Sequence, residues 1–209
     1  MENTPADKHL LPGVVLAGGR SQRMGGGDKC LLSLGTMTML DHVLARLRHQ
    51  VGPIVLNANG PAERFSSFGV PVVADEVEGF AGPLAGILAG MEWAAHQGAS
   101  HVVSVAADTP FFPATLVDQL RPALARAPIV QAATVDDERG RMRQPTFGIW
   151  SVSLRDRLRA DLLAGQRKVR QWADQNGCAE VVFDSADAPF FNVNTPDDLA
   201  RAEQMAATQ

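Results

Sequence analysis

A glycine-rich segment at residues 16–29 combines the residue types that bind a polyphosphate. It reads LAGGRSQRMGGGDK and carries three basic side chains, Arg20, Arg23 and Lys29. Glycine lets the backbone approach a ligand closely and point N–H groups at an anion, and the basic side chains supply further donors. The segment therefore predicts a phosphate-binding loop, with an unliganded surface loop as the competing interpretation.

The spacing within this loop excludes two common nucleotide-binding motifs. A Walker A loop needs Gly-Lys followed by Ser or Thr, but Lys29 lies between Asp28 and Cys30. A dinucleotide-binding fingerprint needs GxGxxG, which the loop does not contain. The nucleophile motif GxSxG is absent, so the sequence offers no candidate for nucleophilic catalysis by serine. The five histidines follow no metal-binding spacing, so they offer no metal site. The loop therefore predicts a polyphosphate site of another class.

Polar residues end the next three apolar runs of the chain. Asn57 follows PIVL, Asp75 follows VPVVA and Asp108 follows HVVSVAA. Ligands of open α/β sheets bind beyond the carboxyl ends of the strands, where these side chains would meet the loop. A carboxylate at Asp108 could hold Mg²⁺ together with substrate phosphates. All three residues are also common turn formers, so a purely structural role in the turns is the alternative.

The elements that would position these residues alternate along the chain. Apolar runs that indicate strands buried on both faces lie at 13–17, 53–56, 70–74, 101–106, 129–135 and 180–183. Amphipathic stretches predict helices at 38–50, 83–95 and 114–126, and a last helix that begins at Thr195-Pro196. Residues 144–150 predict an antiparallel strand added to the sheet. This alternation is typical of a doubly wound α/β fold.

Length and composition set the remaining expectations. We expect one domain over residues 1–209, with 1–11 and 206–209 flexible. The net charge of −4 argues against binding to nucleic acid or to an anionic membrane, which would need a field of basic residues. The N-terminus lacks a positively charged leader, so we expect a cytoplasmic protein. Cys30 and Cys178 have no metal-binding spacing and are expected to be small buried residues.

Six segments occur in an order that is typical of one enzyme family. They are LAGGRSQRMGGGDK, NAN at 57–59, VVAD ending at Asp75, GPLAG at 82–86, DTPF at 108–111 and NVNTP at 192–196. In these segments the chain resembles the molybdenum cofactor guanylyltransferases. The resemblance extends from about Gly13 to the last helix, and its glycine-rich signature is shared with a wider nucleotidyltransferase superfamily.

The resemblance implies a fold and a reaction. The fold would be a Rossmann-like, doubly wound and mostly parallel sheet of the nucleotide-diphospho-sugar transferase type, with helices on both faces. The enzyme would bind GTP and Mg²⁺ and transfer GMP to the terminal phosphate of molybdopterin, releasing pyrophosphate. Transient contact with proteins that deliver the pterin or mature molybdoenzymes is implied as well.

The motifs also assign roles to single residues. Those that would bind the nucleotide and its metal ion are Leu16, Ala17, Gly18, Gly19, Arg23, Lys29, Asn57, Asp75 and Asp108. Lys29 and Arg23 would meet the phosphates and, with Asp108, form the catalytic set. Asn57 and Asp75 would help to read guanine, and Asp108 would be the metal ligand. Gln22 stands where the family often has a second basic residue, which lowers the charge of the loop at that point.

The pterin would approach from the side of GPLAG and NVNTP, through Gly82, Pro83, Asn192 and Asn194. Both segments also have structural interpretations. GPLAG could form the tight start of a core helix, and Thr195-Pro196 has the form of a helix cap whatever the two asparagines do.

Three other functions share parts of this pattern. A CTP-dependent molybdopterin cytidylyltransferase would tend to have LAAG where this chain has LAGG. A sugar-1-phosphate nucleotidylyltransferase would share the loop and the metal carboxylate but not the later segments. A regulatory GTP-binding module would keep the loop and release no pyrophosphate.

Overall fold

Short runs of valine, leucine and alanine form a seven-stranded, mostly parallel sheet. The computed structural model describes residues 10–18, 28–77, 82–136, 140–184 and 190–207. The strands of this sheet are β1 (Gly13–Leu16), β4 (Ile54–Asn57), β5 (Val72–Val73), β6 (His101–Ala106), β7 (Ile129–Asp136), β8 (Gly140–Ser151) and β9 (Cys178–Phe183). A separate antiparallel hairpin contains β2 (Ser33–Leu34) and β3 (Met37–Thr38).

The strand order is β5-β4-β1-β6-β8-β7-β9. The pairs β5/β4, β4/β1, β1/β6 and β7/β9 are parallel, whereas β8 runs antiparallel to both of its neighbours. The antiparallel strand predicted at 144–150 is therefore confirmed within the longer β8. Because β1 lies between β4 and β6, the loops after these three strands share one edge of the sheet, and that edge holds the candidate site.

Helices cover both faces of the sheet. The helices of the chain are α1 (Met39–Arg48), α2 (Pro83–His96), α3 (Leu116–Leu120), α4 (Arg155–Leu163), α5 (Val169–Gln175) and α6 (Pro196–Ala206), of which α6 packs in a separate cluster with Leu34 of the hairpin. Helices α1 and α3 pack on one face, and α2, α4 and α5 pack on the other. The adjacent residues Val14 and Val15 of β1 are fully buried in these two different clusters, as the alternation of side chains along a strand requires. The doubly wound fold is thereby confirmed.

Local sequence explains where the best-predicted helices begin. Thr38 accepts a hydrogen bond from the Asp41 N–H at 3.1 Å while the Asp41 carboxylate accepts from the Thr38 N–H at 2.9 Å, which is a complete capping box for α1. Thr195 and Asp198 form the same box for α6, ahead of Pro196 at the first helical position. The predicted helix cap at Thr195-Pro196 is therefore confirmed.

Two predicted elements are shorter than expected. The stretch 114–126 divides into α3 and a 3-10 helix at Arg121–Ala125, because Pro122 has no N–H to donate and its ring crowds the preceding turn. The strand expected at 70–74 is only the two-residue β5, which Pro71 precedes without a donor for the sheet. Neither α4 nor α5 is predicted from the sequence. Helix α4 buries only Leu158 and Leu162, too few apolar residues to form a clear stripe in the sequence.

Leu11 packs against the core and its carbonyl accepts from the Gly52 N–H at 2.9 Å. Residues 1–9 and 208–209, parts of the ends predicted to be flexible, lie outside the described residues. Within the described ranges, no helix has the length and apolar character needed to cross a membrane.

Candidate active site

A cavity of about 650 Å³ lies beyond the carboxyl ends of the parallel strands. Eleven of the thirteen residues to which the motifs assign a role line it: Leu16, Ala17, Gly18, Lys29, Asn57, Asp75, Gly82, Pro83, Asp108, Asn192 and Asn194. The other two, Gly19 and Arg23, lie outside the described residues, as does Arg20 of the glycine-rich loop. The volume is in the range of pockets that enclose small-molecule ligands. Residues spread over almost the whole chain thus meet in one place.

Two asparagines and an aspartate form a hydrogen-bonded group at the ends of β4 and β5, which we call the amide cluster (Asn57, Asn59 and Asp75). The Asn57 amide donates to Asp75 Oδ1 at 3.0 Å, and the Asn59 amide donates to Asp75 Oδ2 at 2.7 Å. Asn59 Oδ1 also accepts from the Asp75 backbone N–H at 2.9 Å. Each carboxylate oxygen therefore has one amide partner, and Asp75 is held in one orientation.

A second polar group lies at the end of β6, and we call it the lysine cluster (Lys29, Asp108 and Asn194). The Lys29 ammonium donates to Asp108 Oδ2 at 2.7 Å and to Asn194 Oδ1 at 2.8 Å. The Lys29 side chain is 14% exposed, so this charge is largely withdrawn from bulk water. An ammonium has three donors, so a third remains after these two contacts for an anion in the cavity.

The NVNTP segment owes its position to contacts on both of its sides. The Val193 N–H donates to the Asp108 carbonyl at 2.9 Å, and the Thr109 hydroxyl donates to Asn192 Oδ1. The Asn194 N–H donates to the Asp198 carboxylate at 3.0 Å, and this bond holds the pKa of Asp198 below its ordinary value. The same contacts that cap α6 therefore deliver Asn194 to the lysine cluster.

The GPLAG segment forms the tight start of the core helix α2, as one of its two interpretations predicted, and it also borders the cavity. Gly82 and Pro83 line the cavity at the first turn of α2. Gly86 lies under the amide cluster, where a Cβ atom would be 2.3 Å from Asn57 Oδ1 and 2.9 Å from Leu16 Cδ2. Glycine at 86 is therefore what lets α2 pack directly beneath Asn57.

Replacing Gly86 with alanine is expected to displace the side chain of Asn57, which the resemblance assigns to the nucleotide, and so to weaken nucleotide binding about tenfold, as loss of a well-aligned hydrogen-bonding group would. We expect a loss of about 1 kcal/mol of unfolding free energy as well, because the added methyl group overpacks the helix–sheet contact. The measurements are GTP affinity by calorimetry and stability by urea unfolding.

Gly90→Ala is the matched control for that change. It adds a Cβ on the same helix, 2.6 Å from Val14 Cγ1, away from the amide cluster. The control should lose stability and keep GTP affinity. Equal GTP affinity in the Gly86 and Gly90 variants would contradict a role for Gly86 beneath Asn57.

Sequence reasoning missed one wall of the cavity, formed by Gln144, Pro145 and Thr146. The pairing of β7 with β8 shifts between Gln131 and Ala132, and the Gln131 amide donates to the Pro145 carbonyl at 3.0 Å. Proline occurs in central strands mainly at such irregularities, so Pro145 was the sequence feature that could have indicated this wall.

Cys30 is buried against the cavity, as expected for a small apolar residue, whereas Cys178 is half-buried. Burial and the nearby Asp28 carboxylate raise the pKa of the Cys30 thiol to about 12. A thiol with that pKa is neutral at physiological pH, and only the thiolate is an effective nucleophile. Cys30 therefore contributes packing at this site.

Comparisons with known proteins agree in pointing to one enzyme family. Residues 13–181 match the family described as MobA-like NTP transferase domain. A molybdenum cofactor guanylyltransferase from Mesorhizobium japonicum is 49% identical over 201 residues, which cover 93% of this chain and 95% of that protein. One of the same name from a Bradyrhizobium species is 45% identical over 210 residues, covering 99% of this chain and 98% of the relative.

Solved structures give the same picture of the fold. The molybdopterin-guanine dinucleotide biosynthesis protein A from Archaeoglobus fulgidus superimposes with a TM-score of 0.75 at 25% identity, over 95% of this chain and all of that one. A 4-diphosphocytidyl-2C-methyl-D-erythritol synthase from Anaerococcus prevotii gives 0.74 at 13% identity, over 95% and 96% of the two chains. This second likeness concerns the fold alone.

Proposed function

The chain belongs to the MobA-like NTP transferase family, and from this premise we propose that it transfers GMP from GTP to the terminal phosphate of molybdopterin. The products are pyrophosphate and the guanine dinucleotide form of the cofactor. The names of the relatives described above support the choice of reaction. The observation that carries the proposal is the presence of the amide cluster and the lysine cluster in one cavity, on the two sides of the end of β1.

The amide cluster is suited to reading guanine. Each oxygen of Asp75 accepts one amide hydrogen and retains a lone pair, so the carboxylate can accept from both the N1–H and the 2-amino group of the base. A Cβ atom at residue 18 would be 3.7 Å from Asn57 Oδ1 and 3.8 Å from Asn59 Nδ2. The LAGG sequence of this chain therefore leaves open the space beside the cluster that an LAAG sequence would fill.

Recognition of the base by Asp75 predicts that inosine triphosphate, which lacks the 2-amino group, is a poorer nucleotidyl donor than GTP. Loss of one hydrogen bond to a charged group should lower kcat/KM about tenfold or more. Competing turnover of the two nucleotides measures the ratio directly. In an Asp75→Ala variant the ratio should approach one, and equal use of both nucleotides by the unaltered protein would remove Asp75 from base recognition.

The lysine cluster is suited to the polyphosphate and to a magnesium ion. Among the residues that the structure describes, no group of three or more His, Cys, Asp or Glu side chains could hold a metal by itself. Mg²⁺ commonly binds through one or two carboxylates together with substrate phosphates, and Asp108 supplies such a carboxylate. When bound, Mg²⁺ would neutralise charge on the α-phosphate and on the leaving pyrophosphate.

The reaction needs no protein nucleophile or general base. The attacking group is a phosphate monoester, which loses its second proton at a pKa of about 6 and is therefore an anion near neutral pH. The protein must instead hold the two phosphates in line and offset their mutual repulsion. Lys29 supplies a largely buried positive charge for this purpose, and the glycine-rich loop with Arg23 is proposed to supply further donors.

We place molybdopterin on the side of the cavity formed by the start of α2, the NVNTP segment and β8. Helix α2 begins at Pro83, next to the cavity, and the positive end of its dipole there favours an anion. Asn192, Asn194 and Gln144 supply amide groups to the same cavity. These groups would bind the phosphate and the polar rim of the pterin.

A pyrophosphate-release assay tests the proposal. GTP, CTP and ATP are each supplied with Mg²⁺ in three conditions: without an acceptor, with molybdopterin, and with a sugar 1-phosphate. Release that requires both GTP and molybdopterin supports guanylyl transfer. Preference for CTP would favour a cytidylyltransferase, release with a sugar 1-phosphate as acceptor would favour a sugar nucleotidylyltransferase, and GTP binding without release would indicate a regulatory module.

A further inference from the structure

Arg64 lies in the 3-10 helix Ala62–Phe68, and its guanidinium group joins segments that are far apart in sequence. It donates through Nε and Nη2 to the carboxylate of Asp28, with Nη2 at 3.3 Å from Oδ1. It also donates to the carbonyl oxygen of Asn59, at 2.6 Å, and to that of Pro61. We call this set of contacts the arginine bridge (Arg64, Asp28 and Asn59).

The arginine bridge adjoins both clusters, because Asp28 is next to the lysine cluster in sequence and Asn59 is itself a member of the amide cluster. Asp28 directly precedes Lys29 of the lysine cluster. Asn59 holds both the carboxylate and the backbone N–H of Asp75 in the amide cluster. Through Arg64, the group proposed to read the base is therefore mechanically connected to the group proposed to bind the phosphates.

The surroundings of Arg64 favour a fixed geometry. The side chains of Arg64 and Asp28 are 26% and 21% exposed, so solvent competes weakly for their ion pair. The guanidinium carbon lies 4.5 Å from the ring centre of Phe65, which is fully buried in the core. Gly60 has a φ of 87°, a left-handed conformation that lets the chain turn tightly around the guanidinium group.

We propose that Arg64 is a positioning residue that sets the separation between the amide cluster and the lysine cluster. The inference rests on the proposed function, because it takes the two clusters to bind the base and the phosphates of one GTP molecule. A ligand that spans both clusters gains affinity from having its two binding groups prepositioned, whereas a ligand that fills only one of them does not.

The test compares Arg64→Gln and Arg64→Lys with Arg48→Gln. Arg48 is an exposed arginine that donates to the carbonyl of Phe68 in the same 3-10 helix, at 2.9 Å, and does not belong to the bridge. Binding is measured for GTP, for guanosine and for inorganic tripolyphosphate. Lysine keeps the charge but lacks the planar fork that binds Asp28 and Asn59 together, so it should not restore the wild-type behaviour.

We expect both Arg64 variants to bind GTP about tenfold more weakly, while guanosine and tripolyphosphate each change by less than about twofold. The Arg48 variant should match the wild type for all three ligands. Equal weakening of all three ligands in the Arg64 variants would overturn the proposal, since it would show general loss of structure. Unchanged GTP affinity would overturn it as well.

Asp28→Asn is a second variant that tests the same proposal if the Arg64 variants do not fold. It should reproduce the selective loss of GTP affinity, and combining it with Arg64→Gln should add little, because both changes break the same bridge. Additive losses would overturn the proposal. Failure of the proposed function is recognised separately, by a wild-type protein that binds GTP but releases no pyrophosphate with molybdopterin.

Discussion

Replacing Asp108 with alanine is expected to lower the rate of GMP transfer at least about a thousandfold at saturating Mg²⁺, equivalent to about 4 kcal/mol of transition-state stabilisation. Asp108 is the carboxylate of the lysine cluster, and its Oδ2 lies 2.7 Å from the Lys29 ammonium. Its removal takes away the proposed metal ligand. It also leaves Lys29, a largely buried cation, with only the Asn194 amide as a partner within the cluster.

Asp108→Asn tests the negative charge of the Asp108 side chain separately from its size. Asparagine keeps the side-chain size and an oxygen that can accept from Lys29, but it lacks the negative charge that Mg²⁺ prefers. We expect it to be nearly as inactive as alanine, to keep the wild-type melting temperature and to bind Mn²⁺ poorly in a titration followed by electron paramagnetic resonance. Turnover close to that of the wild type at saturating Mg²⁺ would rule out Asp108 as the metal ligand.

The gathering of the site residues could be predicted from the sequence because parallel strands end at the same edge of a sheet. Asn57 ends β4, and Asp108 follows β6 by two residues. Strand β1 pairs with both strands in register, with Leu16 opposite Asn57 on one side and Ala106 on the other. Once the apolar runs are recognised as neighbouring parallel strands, their polar ends must lie close together.

The contacts that orient these residues could not be predicted in the same way. Whether Asp75 pairs with Asn59 or with a basic side chain depends on the path of the loop after β4, and no short-range pattern encodes that path. Arg64 is one of two charged residues in the short 3-10 helix Ala62–Phe68, and no motif marks it in the sequence; its role is visible only once Asp28 lies beside it. Pro145 did indicate an irregular pairing, since proline interrupts the hydrogen bonds of a central strand. Which residues of β8 then face the cavity depends on the register with β7, and the sequence does not give that register.

Replacing Lys29 with alanine is expected to lower kcat/KM for GTP by a factor of about one hundred to one thousand, since it removes the point charge proposed to stabilise the polyphosphate. The two variants of the lysine cluster should then differ in metal binding. Asp108→Ala should lose Mn²⁺ affinity, whereas Lys29→Ala should retain or increase it, because the carboxylate no longer shares its charge with an ammonium group at 2.7 Å.

Lys29→Arg and Lys168→Ala complete the experiment. Arginine preserves the charge but replaces a compact ammonium by a planar group, so it should recover only part of the lost activity. Lys168 is an exposed lysine before α5, and its removal should leave both turnover and Mn²⁺ binding unchanged. If Lys29→Ala and Asp108→Ala lost Mn²⁺ affinity together, the lysine would act mainly by holding Asp108 in place. Opposite effects on Mn²⁺ with a shared loss of turnover would instead mean that the two residues make separate contributions, the carboxylate to the metal ion and the ammonium to the phosphates.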